Sequence, residues 1–163
     1  MYHGDILIKK GGNMFNYKRL AILTILSLLI TAITISAPMS GTYNVGSGQT
    51  YTSLTGASGF FNAVNVNGLS GNVTALITSD ITETGNVSLN QWTGTSYSVT
   101  ISPSAATLRN LTGNLASGNL FNLNGCDNLI IDGRFGGSGR YLRFVNTSTS
   151  GSTFRFINDA TNN

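Results

Sequence analysis

Short runs in which apolar and polar residues alternate fill the chain after residue 71, and each run closes at Gly, Asn or Asp. Alternation with a period of two is typical of strands that bury one face. The exception is the segment 51–66, where Leu54, Phe60 and Val64 recur at near-helical spacing. The pattern therefore predicts one short helix over 51–66 and short β-strands through the rest.

The alternating runs form two series of apolar pairs that would face inward. The first series consists of Val99/Ile101, Phe121/Leu123 and Leu142/Phe144, and the second of Ala106/Leu108, Leu129/Ile131 and Phe154/Phe156. Within each series the pairs recur every 21–25 residues. Two strands that recur together at one period indicate a coiled solenoid, whereas an antiparallel sandwich needs no such period. We expect an all-β, three-sided parallel β-helix, with the helix over 51–66 capping the N-terminal end of its core.

An apolar run at 20–37 follows Lys18 and Arg19 and ends in small residues. This arrangement predicts a signal peptide over 14–37, which would touch the membrane only before cleavage. An uncleaved anchor helix is the alternative, because the run is near the lower limit for crossing a hydrocarbon core of ~30 Å. Residues 1–13 read as a start called too early, since Met14 opens a normal signal peptide by itself. The mature chain, 38–163, is expected to be secreted or held on the outer cell surface.

Charge separates the leader from the rest of the chain. The whole chain carries nine Lys and Arg against six Asp and Glu, but in 38–163 five arginines balance five acids and lysine is absent. This balance argues against a nucleic-acid partner, which needs clustered basic side chains. The segment also lacks histidine, which excludes a Ser-His-Asp triad or a His-based metal site there. Its one cysteine, Cys126, is interpreted as a buried small hydrophobe, with a reactive thiol as the alternative.

Five segments carry a resemblance to a known family. They are 41–45 (GTYNV), 51–54 (YTSL), 69–74 (LSGNVT), 128–134 (NLIIDGR) and 154–160 (FRFINDA). They resemble the pectin-lyase-like β-helix modules of large secreted surface proteins of Bacteroidota-type bacteria. The resemblance implies a right-handed parallel β-helix, an adhesin-like role, and a C-terminal sorting domain for type IX secretion.

Only six residues follow the last strand-like run, at 154–157. A β-helix that ends there exposes apolar core and unpaired backbone. We therefore expect 38–163 to be the N-terminal portion of a longer, truncated β-helix domain. The alternative is a small protein whose last residues fold over the open end or pair with another chain.

The acids offer no obvious catalytic pair. Glycoside hydrolysis needs two carboxyl groups flanking one bond, but Asp80 and Glu83 face opposite sides of a strand, and Asp127 and Asp132 lie roughly 17 Å apart in an extended chain. No catalytic, cofactor-binding or metal residue is assigned. No cofactor is expected, and calcium is the single candidate ion, although no run matches a calcium-binding loop.

Six residues are candidates for glycan contact. They are Trp92, Tyr97, Asp132, Arg134, Arg143 and Arg155. Loop aromatics stack on sugars, an Asp–Arg pair holds uronates, and a ladder of outward arginines contacts acidic glycans. The plainer alternatives are a Trp92 ring folded back on the core, an Asp132 carboxylate that accepts backbone N–H bonds in the turn at Gly133, and a solvated arginine face.

Asn124 and Asn146 each follow an inward pair, and stacked amides of this kind bond from coil to coil. Such ladders stabilise a solenoid without any ligand. The sequence as a whole favours a non-catalytic structural or adhesive β-helix, with surface glycans or other cell-surface proteins as partners. The alternative is the N-terminal part of a polysaccharide lyase, glycoside hydrolase or esterase whose active residues lie on later turns.

Overall fold

A computed structural model describes residues 36–163. The predicted early start at 1–13 and almost all of the predicted signal peptide lie outside the described residues. The described chain contains one helix and ten strands, which are β1 (Met39–Val45), α1 (Phe60–Asn67), β2 (Leu69–Ile77), β3 (Ile81–Thr82), β4 (Leu89–Asn90), β5 (Val99–Pro103), β6 (Arg109–Gly113), β7 (Asn119–Asn124), β8 (Leu129–Ile131), β9 (Leu142–Asn146) and β10 (Ser152–Ile157).

The strands form three parallel sheets that wind around one core. Sheet A has the order β1-β2-β5-β8, sheet B the order β3-β6-β9, and sheet C the order β4-β7-β10. From β2 onward, consecutive strands belong to sheets A, B and C in turn, so each coil adds one strand to every sheet. This topology confirms the predicted parallel β-helix, here with about four coils.

The core lies inside the three sheets because one face of each strand is apolar. In β5, Val99, Ile101 and Pro103 are buried, while the intervening Thr100 and Ser102 are half-buried. The same alternation in β2 and β7 brings Ala75 and Leu123 into the same buried cluster. This alternation is the pattern that the sequence displays, and burial of its apolar half is the main force that closes the coil.

The predicted period of 21–25 residues is wrong. Residues that stack on successive coils are further apart, from 26 residues for Ser98 and Asn72 to 34 residues for Asn124 and Asn90. The first predicted series consists of alternate strands, β5, β7 and β9, which lie in sheets A, C and B. In a three-sided coil, a step of two strands is about two thirds of a turn and ends on a different side. The true stacks join Val99 to Leu129 and Phe121 to Phe154.

The second series of predicted inward pairs is also wrong in part. Ala106 and Leu108 lie exposed in the corner between β5 and β6, rather than facing inward. In the last coil, Leu129 is buried, but Ile131 is 40% exposed and Phe156 is 55% exposed. Those side chains belong to strands that have a partner on one edge only among the described residues, so the inner row of the last coil is incompletely covered.

The N-terminal end of the core is covered by helix α1 and the segment before it. The helix is shorter than predicted and begins after Gly59, because the backbone N–H groups of Leu54 and Thr55 bond to Glu83 instead of forming a helical turn. Phe60, Phe61 and Val64 are its buried residues.

Asn65, on the same helix, bonds the first strand of sheet C. Its Oδ1 accepts from the backbone N–H of Asn90 at 3.0 Å, and its Nδ2 donates to the Ser88 carbonyl at 2.8 Å. The expectation of a capping helix is therefore confirmed, with corrected bounds.

Candidate functional site

The predicted Asp132–Arg134 motif forms a tight local pair. Arg134 donates from Nε and Nη2 to the two carboxylate oxygens of Asp132 at 2.8 and 3.0 Å, and its backbone N–H donates to Oδ1 at 3.0 Å. These bonds lower the pKa of Asp132 to about 2. The bond from the Arg134 backbone closes the turn at Gly133. This matches the plainer of the two interpretations, in which Asp132 accepts a backbone N–H bond in the turn. A uronate at this place would have to compete with Asp132 for the guanidinium group.

The two strand arginines do not stack on each other. Arg143 lies on β9 in sheet B beside Asn110, and Arg155 lies on β10 in sheet C beside Asn122. Both arginines are exposed, as the alternation predicts. Because each neighbour on the preceding coil is an asparagine, the residues described form no ladder of arginines, and the two cations lie on different sides of the coil.

Trp92 is buried rather than presented on a loop. Only 2% of its surface is exposed, and its indole Nε1 donates to the backbone carbonyl of Tyr97 at 3.2 Å. The ring therefore offers no face for a sugar, and the interpretation in which it folds back on the core describes its position. Tyr97 is half-buried and packs against the same core. Sequence context alone suggested exposure, because the surrounding residues are Gly, Thr and Ser.

Asp80 and Asp127 serve as hydrogen-bond acceptors between neighbouring coils. Asp80 accepts from the backbone N–H and the side-chain amide of Asn110 at 2.9 and 3.1 Å. Asp127 accepts from the backbone N–H and hydroxyl of Thr161 at 2.9 and 2.8 Å. The bond from the Asn110 backbone lowers the pKa of Asp80. These two carboxylates thus join residues 30 and 34 positions apart, on sheet B and at the corner between sheets C and A.

Glu83 is the one buried acid among the residues described. Its Oε1 accepts from the Leu54 backbone at 2.8 Å, and its Oε2 accepts from the Thr55 backbone and hydroxyl at 2.7 and 2.6 Å. Burial raises the pKa of Glu83, and these donated bonds oppose the rise. The carboxyl group fastens the N-terminal segment to the first strand of sheet B, which is a structural rather than a chemical use.

A notch lies beside strand β1, near the N-terminal end of the described chain. It has a volume of about 320 Å³ and is lined by Thr42, Tyr43, Asn44, Gln49, Thr50 and Tyr51. We call these six residues the tyrosine notch. One wall is strand β1, and the other is the segment that returns after the turn at 46–48. The lining contains tyrosine rings, amides and hydroxyls, and none of the six side chains carries a charge at neutral pH.

The turn that forms the notch depends on Gly46. Its φ is +145°, and a Cβ there would lie 2.5 Å from Thr78 Oγ1 and 2.6 Å from Ser79 Oγ. Its backbone N–H donates to the Tyr51 carbonyl at 2.9 Å, which holds the return segment against the end of β1. Sequence reasoning missed this site because its walls come from two runs. The available signal was a Gly-Ser-Gly turn with a tyrosine on each side.

Within residues 36–163, no group of three or more His, Cys, Asp and Glu side chains is placed to hold a metal ion. In the same range, no helix has the length and apolar character to cross a bilayer. Cys126 is buried, as predicted.

Comparisons with protein-family models, with curated proteins and with solved structures found no match.

Proposed function

We propose that this chain is a non-catalytic structural and adhesive β-helix of an exported bacterial surface protein. The observation that carries the proposal is the role of four of the five acids in 36–163 as hydrogen-bond acceptors. Asp80, Glu83 and Asp127 each accept hydrogen bonds from residues 28–34 positions away, and Asp132 is paired with Arg134. Carboxyl groups committed to holding neighbouring segments together favour a scaffold over acid–base chemistry, which needs two carboxyls around one bond.

The exposed surface supports the same proposal. Neutral hydroxyl and amide side chains dominate the outward positions of the strands, and the formal charge of 38–163 is balanced. The predicted signal peptide at 14–37 supports export, and the resemblance to surface β-helix modules supports a location outside the cell. A neutral, hydrogen-bonding surface suits contact with glycans or with other cell-surface proteins.

Retention and cleavage must be measured together to test this function. The full chain, processed by a Gram-negative host and coupled to beads, is incubated with neutral and acidic polysaccharides and with intact bacterial cells. We expect retention of glycan or cells on the beads, with no new reducing ends and no unsaturated uronates in solution. Release of either product in proportion to the amount of protein would overturn the proposal in favour of a carbohydrate-active enzyme.

A further inference from the structure

We propose that the tyrosine notch is a binding site for a neutral saccharide. This inference rests on the proposed adhesive function and assigns it a location and a ligand class. The shape of the notch, its two tyrosine rings, its polar rim and its uncharged lining support this assignment.

The two tyrosines that line the notch belong to an aromatic cluster with Phe60. The Tyr51 ring meets Phe60 edge-on, with centroids 5.6 Å apart, and Tyr43 lies 6.2 Å from Phe60 and 6.1 Å from Tyr51. Phe60 is completely buried, so the two half-buried tyrosines rest on a ring that cannot move freely. Ordered aromatic rings that are partly exposed are suited to packing against the C–H face of a sugar, because little side-chain entropy is lost on binding.

The rim of the notch carries polar side chains that have no hydrogen-bond partner among the described residues. The side chains of Thr42, Asn44, Gln49 and Thr50 make no hydrogen bond to another residue within 36–163. The Val45 carbonyl accepts from the backbone N–H of Thr78, directly after β2. Since alternate residues of a parallel strand point to opposite edges, the backbone groups of Thr42 and Asn44 point away from β2, towards the notch. Hydroxyls and amides that both donate and accept match the hydroxyl groups of a sugar.

The uncharged lining of the notch narrows the choice of ligand. No charged side chain lines the notch, and burial raises the pKa of Tyr51, so its phenol stays neutral and able to donate. A uronate or phosphate would find no cation here.

An extended peptide is also disfavoured. The bridge between Val45 and Tyr51 closes one end of the β1 edge, and the strand residues that line the notch are 42–44, roughly 10 Å of strand. That length is about half that of the most common strands, which have roughly 5–6 residues.

The test uses the full chain and four defined probes. Isothermal titration and NMR shifts of the tyrosine rings are recorded with cellohexaose, xylohexaose, mannohexaose and, as the acidic comparison, hexagalacturonate. We expect saturable binding of at least one neutral hexaose and little response to hexagalacturonate. Gln49→Ala and Tyr51→Ala should each weaken that binding about tenfold, the effect of losing about 1.4 kcal/mol of contact.

Thr52→Ala is the matched control, because Thr52 is exposed, adjacent in sequence and outside the notch. It should bind as the unmodified chain does. If Tyr51→Ala fails to fold, Gln49→Ala alone decides, since its side chain bonds no other described residue. Failure of every neutral hexaose to bind, equal binding by the Gln49→Ala variant, or preference for hexagalacturonate or for an extended peptide would overturn the notch as a neutral-saccharide site.

The bead assay separates this inference from the proposed function. If beads carrying Gln49→Ala, Tyr51→Ala double-variant protein retain glycan or cells as well as the unmodified chain does, the notch is wrong and the adhesive function stands. If beads carrying the unmodified chain retain nothing, the adhesive function itself fails.

Discussion

Asn124 Nδ2 donates to Asn90 Oδ1 at 2.7 Å, and Asn124 Oδ1 in turn accepts from Asn158 Nδ2 at 2.6 Å. The three amides form a ladder that follows sheet C from coil to coil, in steps of 34 residues. The expected stacking of Asn124 is confirmed. The same expectation for Asn146 is wrong, because its amide bonds the Leu115 backbone and nearby residues instead.

Asn124→Ala should lower the free energy of unfolding by about 1 kcal/mol, because it removes two amide bonds whose partners remain accessible to water. The loss corresponds to a melting temperature lower by roughly 3–6 °C. Asn114→Ala is the control, since Asn114 is exposed and its side chain bonds no other described residue. Equal melting temperatures for the two variants, measured by circular dichroism, would show that the ladder contributes nothing.

Glu83→Ala should be much more damaging, because it leaves the buried backbone N–H groups of Leu54 and Thr55 without an acceptor. We expect a loss of about 2–4 kcal/mol, the combined penalty for unsatisfied buried donors and for the cavity. Urea unfolding followed by tryptophan fluorescence measures this loss. The control is Glu83→Gln, which keeps one acceptor. If Glu83→Ala costs less than about 1 kcal/mol, Glu83 does not fasten the N-terminal segment.

The pH dependence of stability should carry a contribution from the same residue. Because burial raises the pKa of Glu83, the folded chain holds this proton more tightly than the unfolded chain, whose value is about 4.3. The stability due to Glu83 is therefore fully present below that value and is lost as the pH rises through the folded-state pKa. The difference in unfolding free energy between the unmodified chain and Glu83→Gln isolates the effect. A difference that grows in favour of the unmodified chain as pH rises would contradict it.

The fold class was predictable from the sequence, but the register was not. Alternation marks a strand and its buried face, so Val99, Phe121 and Leu129 were recognised as inward residues. It does not tell which of the three sides a strand occupies. The corners between strands differ in length, so stacked residues lie 26 to 34 positions apart and no single period stands out. The interval of 21–25 residues separates alternate strands, which lie in different sheets and do not stack on each other.

The candidate site was harder to predict for a related reason. The partners of Asp80 and Glu83 lie about 30 residues away, and only the coil geometry brings them together. The same geometry buries Trp92 beneath a loop that reads as exposed, and it brings Tyr43 and Tyr51 to one notch. Local signals did succeed at Asp132, where the partner Arg134 is two residues away.

The corrected register makes a sharp prediction for two phenylalanines. Phe121 is buried in the core between Phe144 and Phe154, whereas Phe156 is 55% exposed on the last coil. Phe121→Ala should lower the unfolding free energy by about 3–5 kcal/mol through lost burial and cavity formation. Phe156→Ala should cost about 1 kcal/mol or less. Urea unfolding of both variants measures the difference. Similar losses would mean that sheet C has a different register.

The reaction rate of the Cys126 thiol measures whether its part of the core is closed to solvent. Cys126 is completely buried, and burial raises the pKa of its thiol to about 11, against an ordinary value of about 8.5. At pH 8 the thiolate fraction should thus be lower than in the unfolded chain by about two orders of magnitude, and the thiolate is the reacting form. Ellman's reagent should react slowly with the native chain and rapidly in denaturant, with glutathione as the calibrating thiol and Cys126→Ala as the blank. A native rate within tenfold of the unfolded rate would show that the corner between β7 and β8 opens to solvent and does not belong to the closed core.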